Sequence, residues 1–210
     1  MTKIYGFRIS TYNVTKLLFT AEELDIEYEY CVLNLPREGG IPAEHHQRHP
    51  LAKVPVLEDE QGNCMFESAA ICRYLAVQSG GKLYGSTASQ RANVDGWLDL
   101  IAHHVGVWLA RTFREEHIKP VLLNETPDQA VIKLAKDTLE STLPAVDQQL
   151  EKNPYLTGES ISIADTIACA YFTTTDHTSI ALENYQHIQR WYAHMIARPA
   201  YQRAMAHYEN

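Results

Sequence analysis

The chain has 210 residues, of which 45% are hydrophobic and 21% charged, and this composition excludes disordered and fibrous classes of protein. Its formal net charge of -8 offers no electrostatic reason to bind nucleic acid or an anionic membrane. The apolar runs are all shorter than the roughly 20 residues that a membrane-spanning helix requires, so we expect no membrane association.

The four cysteines are scattered along the chain, and none of them forms a C-x-x-C pair. No spacing of cysteine and histidine is typical of a zinc site, and we therefore expect no bound metal. The first residues enter a strand-like segment at once, without the apolar core of a signal peptide. These features predict a protein of the reducing cytoplasm.

The N-terminal part of the chain carries a β-α-β pattern. Residues 3–7 read as a first strand, and residues 10–13 supply polar side chains of the kind that begin a helix. Apolar residues then recur at helical spacing as far as Leu24, and residues 26–32 alternate as a strand does. This order predicts a parallel strand pair joined by a right-handed crossover.

The next segment predicts a loop, a hairpin and a second helix. Residues 36–52 are rich in proline, glycine and histidine, which is typical of a loop. Residues 54–59 and 64–66 read as two short strands joined by a tight turn, and such a pair predicts an antiparallel hairpin. Glu67 and Ser68 then begin a helix with apolar residues at helical spacing.

A glycine-rich linker at residues 80–87 separates a segment with both strand and helix patterns from a second segment. Beyond it only helical patterns occur, at roughly residues 88–114, 128–151, 163–179, 185–197 and 200–207. The sequence therefore predicts an α/β domain at residues 1–79, a linker at residues 80–87 and an all-α domain at residues 88–210.

Three motifs stand at fixed places in this pattern. Residues 49–57 read HPLAKVPVL, residues 66–75 read FESAAICRYL, and residues 155–165 read YLTGESISIAD. They resemble, in order, the loop into a cis-proline strand, the Glu-Ser motif and the capping motif of the cytosolic glutathione transferases. The resemblance covers essentially the whole chain. It implies a thioredoxin-like N-terminal domain followed by an all-α helical bundle.

The resemblance also implies that glutathione is the co-substrate and that two motifs hold it. A cis bond before Pro55 would turn the backbone of Val54 toward the extended cysteinyl part of the tripeptide. The positive helix end at Ser68 favours the γ-glutamyl carboxylate, with Glu67 facing its ammonium group. Without a ligand, Pro55 would merely end an edge strand and Ser68 would merely cap a helix.

The glycine end of glutathione is expected to meet positive or hydrogen-bonding side chains. Lys53 precedes the Val-Pro pair and is the expected cation there. His45, His46 and His49 lie in the preceding loop, and we assign His45 to the site, although which of the three points inward stays open.

Hydroxyl groups after the first strand are the candidates for activating the thiol. The thiolate is the nucleophile, and a thiol with a pKa of ~8.5 is only about 3% ionised at pH 7. The run TYNVTK is similar to the Ser/Thr-x-Asn-x-x-Lys pattern of bacterial and fungal family members. On that match Thr11 is the donor and Asn13 the helper, Ser10 is the second candidate, and Tyr5 is the third. Plain helix capping by Ser10 or Thr11 stays an alternative.

The pocket for the second substrate is expected along the first helix of the C-terminal domain. Its candidates are His104, Trp108 and Phe113, together with Tyr12, which stands where many family members have proline. Trp108 and Phe113 fit an inter-helix core equally well. The resemblance further implies a homodimer.

These observations predict a detoxifying enzyme that conjugates glutathione to small, largely apolar electrophiles, or uses it to reduce disulfides or peroxides. The first-strand loop contains no cysteine, which argues against the omega and glutaredoxin-like branches of the family. The alternative is a non-catalytic glutathione-binding or scaffold protein of the same fold.

Overall fold

The computed structural model describes residues 1–35 and 39–208. The first three residues of the predicted loop at 36–52, and the last two residues of the predicted helical domain, lie outside this described part. Two compact units are present: Gly85–Ile196 forms one, and Met1–Tyr84 with the segment that begins at Ala197 forms the other. Among the described residues, the helices are too short or too polar to cross a bilayer.

A four-stranded mixed sheet forms the centre of the first unit. Strand β1 (Thr2–Phe7) pairs in parallel with β2 (Tyr28–Leu33), which confirms the predicted β-α-β opening. Strand β3 (Val56–Glu58) runs antiparallel both to β1 and to β4 (Cys64–Phe66), which confirms the hairpin. The strand order is β2-β1-β3-β4. Strand β3 begins later than expected because Pro55 has no N–H group to donate to a ladder.

In the described part of the first unit, three helices precede the linker. Helix α1 (Tyr12–Glu23) joins β1 to β2, and α3 (Ser68–Gln78) follows β4. A short helix α2 (His45–Arg48) lies inside the segment expected to be a loop. The sheet, α1 and α3 share a core of side chains with no exposed surface: Ile4, Leu17, Leu18, Phe19, Val56, Leu57, Ile71 and Cys72. This core fixes the strand ends and helix starts that carry the site.

The second unit consists of helices, as the sequence predicts. These are α4 (Ala88–Leu100), α5 (Val107–Phe113), α6 (Gln129–Lys152), α7 (Ile163–Phe172) and α8 (Gln186–Ile196). π-Helical segments at Ile101–Gly106 and Arg114–Leu123 continue the first two of them. A Cβ atom on Gly106 would lie 2.6 Å from the Tyr171 ring, so only glycine allows this approach.

Helix α9 (Pro199–Ala206) belongs to the first unit, although its place in the sequence suggested the helical domain. It packs along α1, where the Tyr201 ring meets Phe19 edge-on at 5.3 Å. Arg203 Nε donates to Glu22 Oε2 at 2.6 Å. The chain therefore returns at its end to cover the helix that follows β1.

Candidate active site

A cavity of about 130 Å³ lies in the first unit, where the loop before β3 meets the starts of α1 and α3. It is lined by Asn13, His49, Lys53, Val54, Pro55, Glu67 and Ser68. Six of these seven residues are site candidates from the sequence. The fold thus brings together side chains that are as much as 55 positions apart along the chain.

The Val54–Pro55 peptide bond is cis, and Pro55 is buried. Both ladders of β3 begin at Val56, so Val54 stands just ahead of the paired part of the strand. A residue in that position can pair its backbone N–H and C=O groups with an added extended peptide. The geometry suits a short peptide ligand that lies beside the strand start.

The start of α3 forms a second wall of the cavity. Glu67 is the N-cap residue and has φ 66° and ψ 109°, a backbone conformation that costs a non-glycine residue on the order of 1–3 kcal/mol. Ser68 is the first residue of the 11-residue helix, where backbone N–H groups and the helix dipole favour a carboxylate. This end of the cavity therefore favours a carboxylate at the helix N-terminus and a cationic group beside the Glu67 carboxylate.

His49, rather than His45, is the histidine of the cavity. The Nδ1 atom of His49 accepts a hydrogen bond from the Leu51 backbone N–H at 3.0 Å, and the ring lies 5.2 Å from that of Phe66. Burial lowers the pKa of His49, so the ring is neutral at pH 7. Because Nδ1 accepts, the proton of the neutral ring sits on Nε2, and His49 can act as a hydrogen-bond donor.

The assignment of His45 needs a correction, because this side chain is completely buried. Its Nε2 atom lies 2.9 Å from the backbone oxygen of Lys53. Helix α2 turns His45 inward and so holds the loop from behind. The sequence carries no periodic pattern across this short segment, and it offered no means to choose among the three histidines.

The hydroxyl candidates lie at the start of α1, just ahead of the lining residue Asn13. Thr11 is the N-cap residue, and its Oγ1 atom accepts a hydrogen bond from Val14 N–H at 3.4 Å. Ser10 is exposed in the loop before it. The capping role of Thr11 is therefore real, and it leaves the hydroxyl proton available to a further acceptor.

Tyr5, the third candidate, is committed elsewhere. Its hydroxyl donates to Glu58 Oε2 at 2.8 Å, and the Arg48 guanidinium lies 4.5 Å from the centre of its ring. Burial and the hydrogen bond to Glu58 raise the pKa of Tyr5 to about 12. This hydroxyl belongs to a cluster on the sheet and is a poor candidate for a thiol partner.

Lys16 is a buried side chain of this site for which the sequence suggested no role. Its Nζ atom donates to Asn13 Oδ1 at 2.8 Å and lies 5.1 Å from the centre of the Tyr12 ring. Burial lowers the pKa of Lys16 to about 7, an effect that nearby Cys72 and Glu67 oppose. This hydrogen bond uses the oxygen of the Asn13 amide and leaves its NH₂ group for other acceptors.

The expected second-substrate residues lie in both units. Tyr12 stands at the start of α1, where burial raises the pKa of its hydroxyl and a hydrogen bond with Asn13 lowers it. In the second unit, His104 is exposed, and the Arg111 guanidinium lies 4.8 Å from the centre of the Trp108 ring. Their role in substrate binding stays a prediction.

Phe113 belongs to an aromatic cluster that sequence reasoning missed. Its ring stacks on His117 at 4.9 Å with an interplanar angle of 14°, and His177 lies 4.9 Å from His117. The two histidines are 60 positions apart, so only the tertiary structure shows the cluster. Among residues 1–35 and 39–208, no group of three or more His, Cys, Asp or Glu side chains is placed to hold a metal.

Comparison with known proteins gives a consistent family. Residues 2–77 match the model of the glutathione S-transferase N-terminal domain, and residues 109–199 match that of the C-terminal domain. The chain is 30% identical over 206 residues to the probable glutathione S-transferase GSTF2 of Oryza sativa subsp. japonica, covering 96% of this chain and 94% of that protein.

Solved structures of similar proteins include several with glutathione or a glutathione derivative bound. Glutathione S-transferase I from maize, in complex with an atrazine glutathione conjugate, has a TM-score of 0.88 at 29% identity, covering 99% of this chain and 98% of the other. The theta class enzyme of Xanthomonas axonopodis pv. citri with glutathione bound has a TM-score of 0.83 at 30% identity, covering 97% and 96%. The predicted α/β domain followed by a helical bundle is thereby confirmed.

Proposed function

The chain belongs to the glutathione S-transferase family, and from that membership we propose that it conjugates the thiolate of glutathione to small, largely apolar electrophiles. The observation that carries this proposal is the cavity in which Val54–Pro55, Glu67–Ser68 and Asn13 meet. A strand start can pair with a peptide backbone, a helix N-terminus can bind a carboxylate, and an amide can donate a hydrogen bond to a thiolate.

The two ends of glutathione bind to different walls of the cavity in this proposal. The cysteinyl backbone pairs with Val54, and the γ-glutamyl carboxylate binds the N–H groups and hydroxyl at Ser68. Glu67 faces the ammonium group. At the opposite end, Lys53 and the Nε2–H of His49 hold the glycine carboxylate. This arrangement places the sulfur toward the start of α1.

The thiol loses its proton because the start of α1 stabilises the thiolate. Thr11 donates its hydroxyl hydrogen to the sulfur, and the Asn13 NH₂ group donates a second hydrogen bond. Lowering a thiol pKa from ~8.5 to ~6.5 requires roughly 2.7 kcal/mol of preferential stabilisation, which two such donors beside a positive helix end can supply. The thiol proton passes to solvent, the thiolate sulfur forms a bond to the electrophilic carbon, and the leaving group, halide in the case of an aryl halide, departs with the electrons of the broken bond. Tyr12, beside Thr11 at the start of α1, is proposed to contact the apolar part of the electrophile.

All four cysteines of the chain are free thiols, and burial raises the pKa of each of them. The protein thiols are therefore poor nucleophiles at neutral pH. Any reduction of disulfides or peroxides by this protein would consequently use glutathione as the only thiol.

We propose the cytoplasm, where thiols stay reduced, as the location of the protein. We also propose that it assembles as a homodimer, and light scattering on the purified protein tests this assembly.

The test combines a glutathione titration with turnover of an aryl halide, an organic hydroperoxide and a small disulfide. We expect micromolar to millimolar binding and turnover of the aryl halide, and we expect Ser68→Ala to raise the glutathione KM with little change in kcat. Ser79→Ala, at the opposite end of α3, is the matched control. Binding without turnover of any substrate would support the scaffold alternative, and absence of binding would refute both.

A further inference from the structure

The segment that follows α9 packs an aromatic pair against α1 and β2. The His207 ring lies between Tyr28 and Tyr30, at 5.4 Å and 5.1 Å between ring centres. Its Nε2 atom is 2.8 Å from the Tyr28 hydroxyl, which also donates to Glu22 Oε1 at 2.8 Å. These tilted ring contacts and the hydrogen bond together fix the direction in which the chain enters residue 208.

Tyr208 reaches the first turn of α1. Its hydroxyl is 3.3 Å from Thr15 Oγ1, and it also forms a hydrogen bond with the backbone of Thr11. Thr15 N–H itself donates to the Thr11 carbonyl at 2.9 Å. The phenol therefore contacts both residues that this first helical hydrogen bond joins. Burial raises the pKa of Tyr208 to about 12, and the hydroxyl keeps its proton throughout the neutral range.

Tyr30 holds the other end of the same loop. Its hydroxyl donates to the backbone oxygen of Phe7 at 2.6 Å, and its ring meets that of Tyr208 edge-on at 6.4 Å. A Cβ atom on Gly6 would lie 2.3 Å from the Tyr30 hydroxyl, so glycine is required for this approach. The loop from β1 to Thr11 is thus held from behind by two packed tyrosines.

We propose that Tyr208 is a positioning residue for Thr11, which it holds through the first turn of α1 so that the Thr11 hydroxyl faces the thiol of bound glutathione. The inference rests on the proposed function, in which Thr11 is the donor to the sulfur. It extends the catalytic unit to the C-terminal end of the chain, beyond the residues 109–199 that match the C-terminal family model.

The test uses Tyr208→Phe, which keeps the ring and removes only the hydroxyl. We expect kcat for conjugation to fall roughly five- to tenfold, because the Thr11 hydroxyl is no longer held toward the thiolate. The glutathione KM should not change, because the contacts that bind the tripeptide are kept. The thiol pKa of bound glutathione, read from thiolate absorbance, should rise. Thr15→Val, which removes the partner hydroxyl, should do the same. Tyr201→Phe is the control, because it removes a hydroxyl from α9, which also packs on α1, at a position about two helical turns before Tyr208.

A double-mutant cycle with Thr11→Ala separates this inference from the proposed function. If Tyr208 acts through Thr11, the double variant is no slower than Thr11→Ala alone. The positioning role is overturned if Tyr208→Phe lowers kcat as much in the Thr11→Ala variant as in the unmodified protein. An unchanged thiol pKa in Tyr208→Phe overturns it as well. A silent Thr11→Ala instead refutes the catalytic assignment itself, whatever Tyr208→Phe shows.

Discussion

The hydroxyl of Thr11 is the residue-scale feature on which the proposed chemistry depends. It already caps α1 through Val14 N–H, and its remaining proton is the proposed donor to the thiolate. A hydrogen bond to a charged group is worth about 1.5–3 kcal/mol, so Thr11→Ala should lower kcat about 10- to 100-fold. The glutathione KM should change little, because the contact forms mainly with the thiolate.

Steady-state kinetics with an aryl halide measures this effect. Thr11→Ser keeps both the cap and the hydroxyl and serves as the control, since it should retain most of the activity. Thr11→Ala with full activity, together with a slow Ser10→Ala, would move the donor by one residue.

The buried amine of Lys16 has a consequence for stability as well as for chemistry. Its pKa is lowered to about 7 in the folded chain, whereas an unfolded lysine titrates near 10.5. Between these values the unfolded state binds more protons than the folded state, so the stability of the free protein should rise with pH from about 7 toward 9. The slope from this one group is at most about 1.4 kcal/mol per pH unit.

Denaturant unfolding at several pH values tests the prediction, with Lys16→Met as the comparison. The stability of the Lys16→Met variant should not rise in this way between about pH 7 and 9, because methionine has no proton to release. A slope that is the same in both proteins would mean that Lys16 stays charged in the folded chain.

At the scale of elements, the start of α7 is a complete capping box. Ser162 and Asp165, which the sequence marks as such a box, cap the helix as predicted. The Asp165 carboxylate also accepts hydrogen bonds from Leu156 N–H at 2.8 Å and Trp191 Nε1–H at 3.1 Å. The other carboxylate oxygen accepts from Ser162 N–H, so the single acceptor oxygen of Asp165→Asn can serve only one set of donors and its NH₂ group must face the other. This change should destabilise the protein by several kcal/mol, more than the roughly 1 kcal/mol of a lost Ser162 cap.

Guanidinium unfolding of Asp165→Asn and Ser162→Ala measures the two costs side by side. The contrast itself is the prediction: equal losses would mean that the carboxylate acts only as a helix cap and that its contact with Trp191 adds nothing.

Elements with a strong local signal were predictable, and elements without one were not. The β-α-β opening, the hairpin and the capping box follow from periodicity and from polar side chains at helix starts. The π-helical segments at Ile101–Gly106 and Arg114–Leu123 differ from α-helix only in hydrogen-bond spacing, which leaves no trace in the apolar pattern. Helix α2 is a single turn, too short to show a period.

At the scale of the whole molecule, the walls of the cavity were predictable because family motifs mark them, whereas its buried supports were not. His49 and Lys16 take their roles from burial, and Tyr208 takes its role from the return of the chain onto α1. Contacts between residues so far apart depend on tertiary packing, which a single sequence does not encode in any local pattern.

Glutathione itself should stabilise the folded chain by mass action. At a concentration 100 times the Kd, binding contributes about 2.7 kcal/mol and raises the thermal midpoint by several degrees. Ser68→Ala at the same concentration should show a smaller shift, since its affinity is lower. Differential scanning calorimetry measures both, and an equal shift in the two proteins would place the ligand away from α3.

The raised pKa of all four cysteines has a consequence for the proposed conjugation of electrophiles. Cys72, with no exposed surface and a pKa of about 11, is almost entirely protonated in a neutral cell, and the other three thiols are shifted in the same direction. In the proposed reaction, electrophiles therefore find one activated sulfur, that of the bound tripeptide, and the cysteines of the polypeptide are spared alkylation.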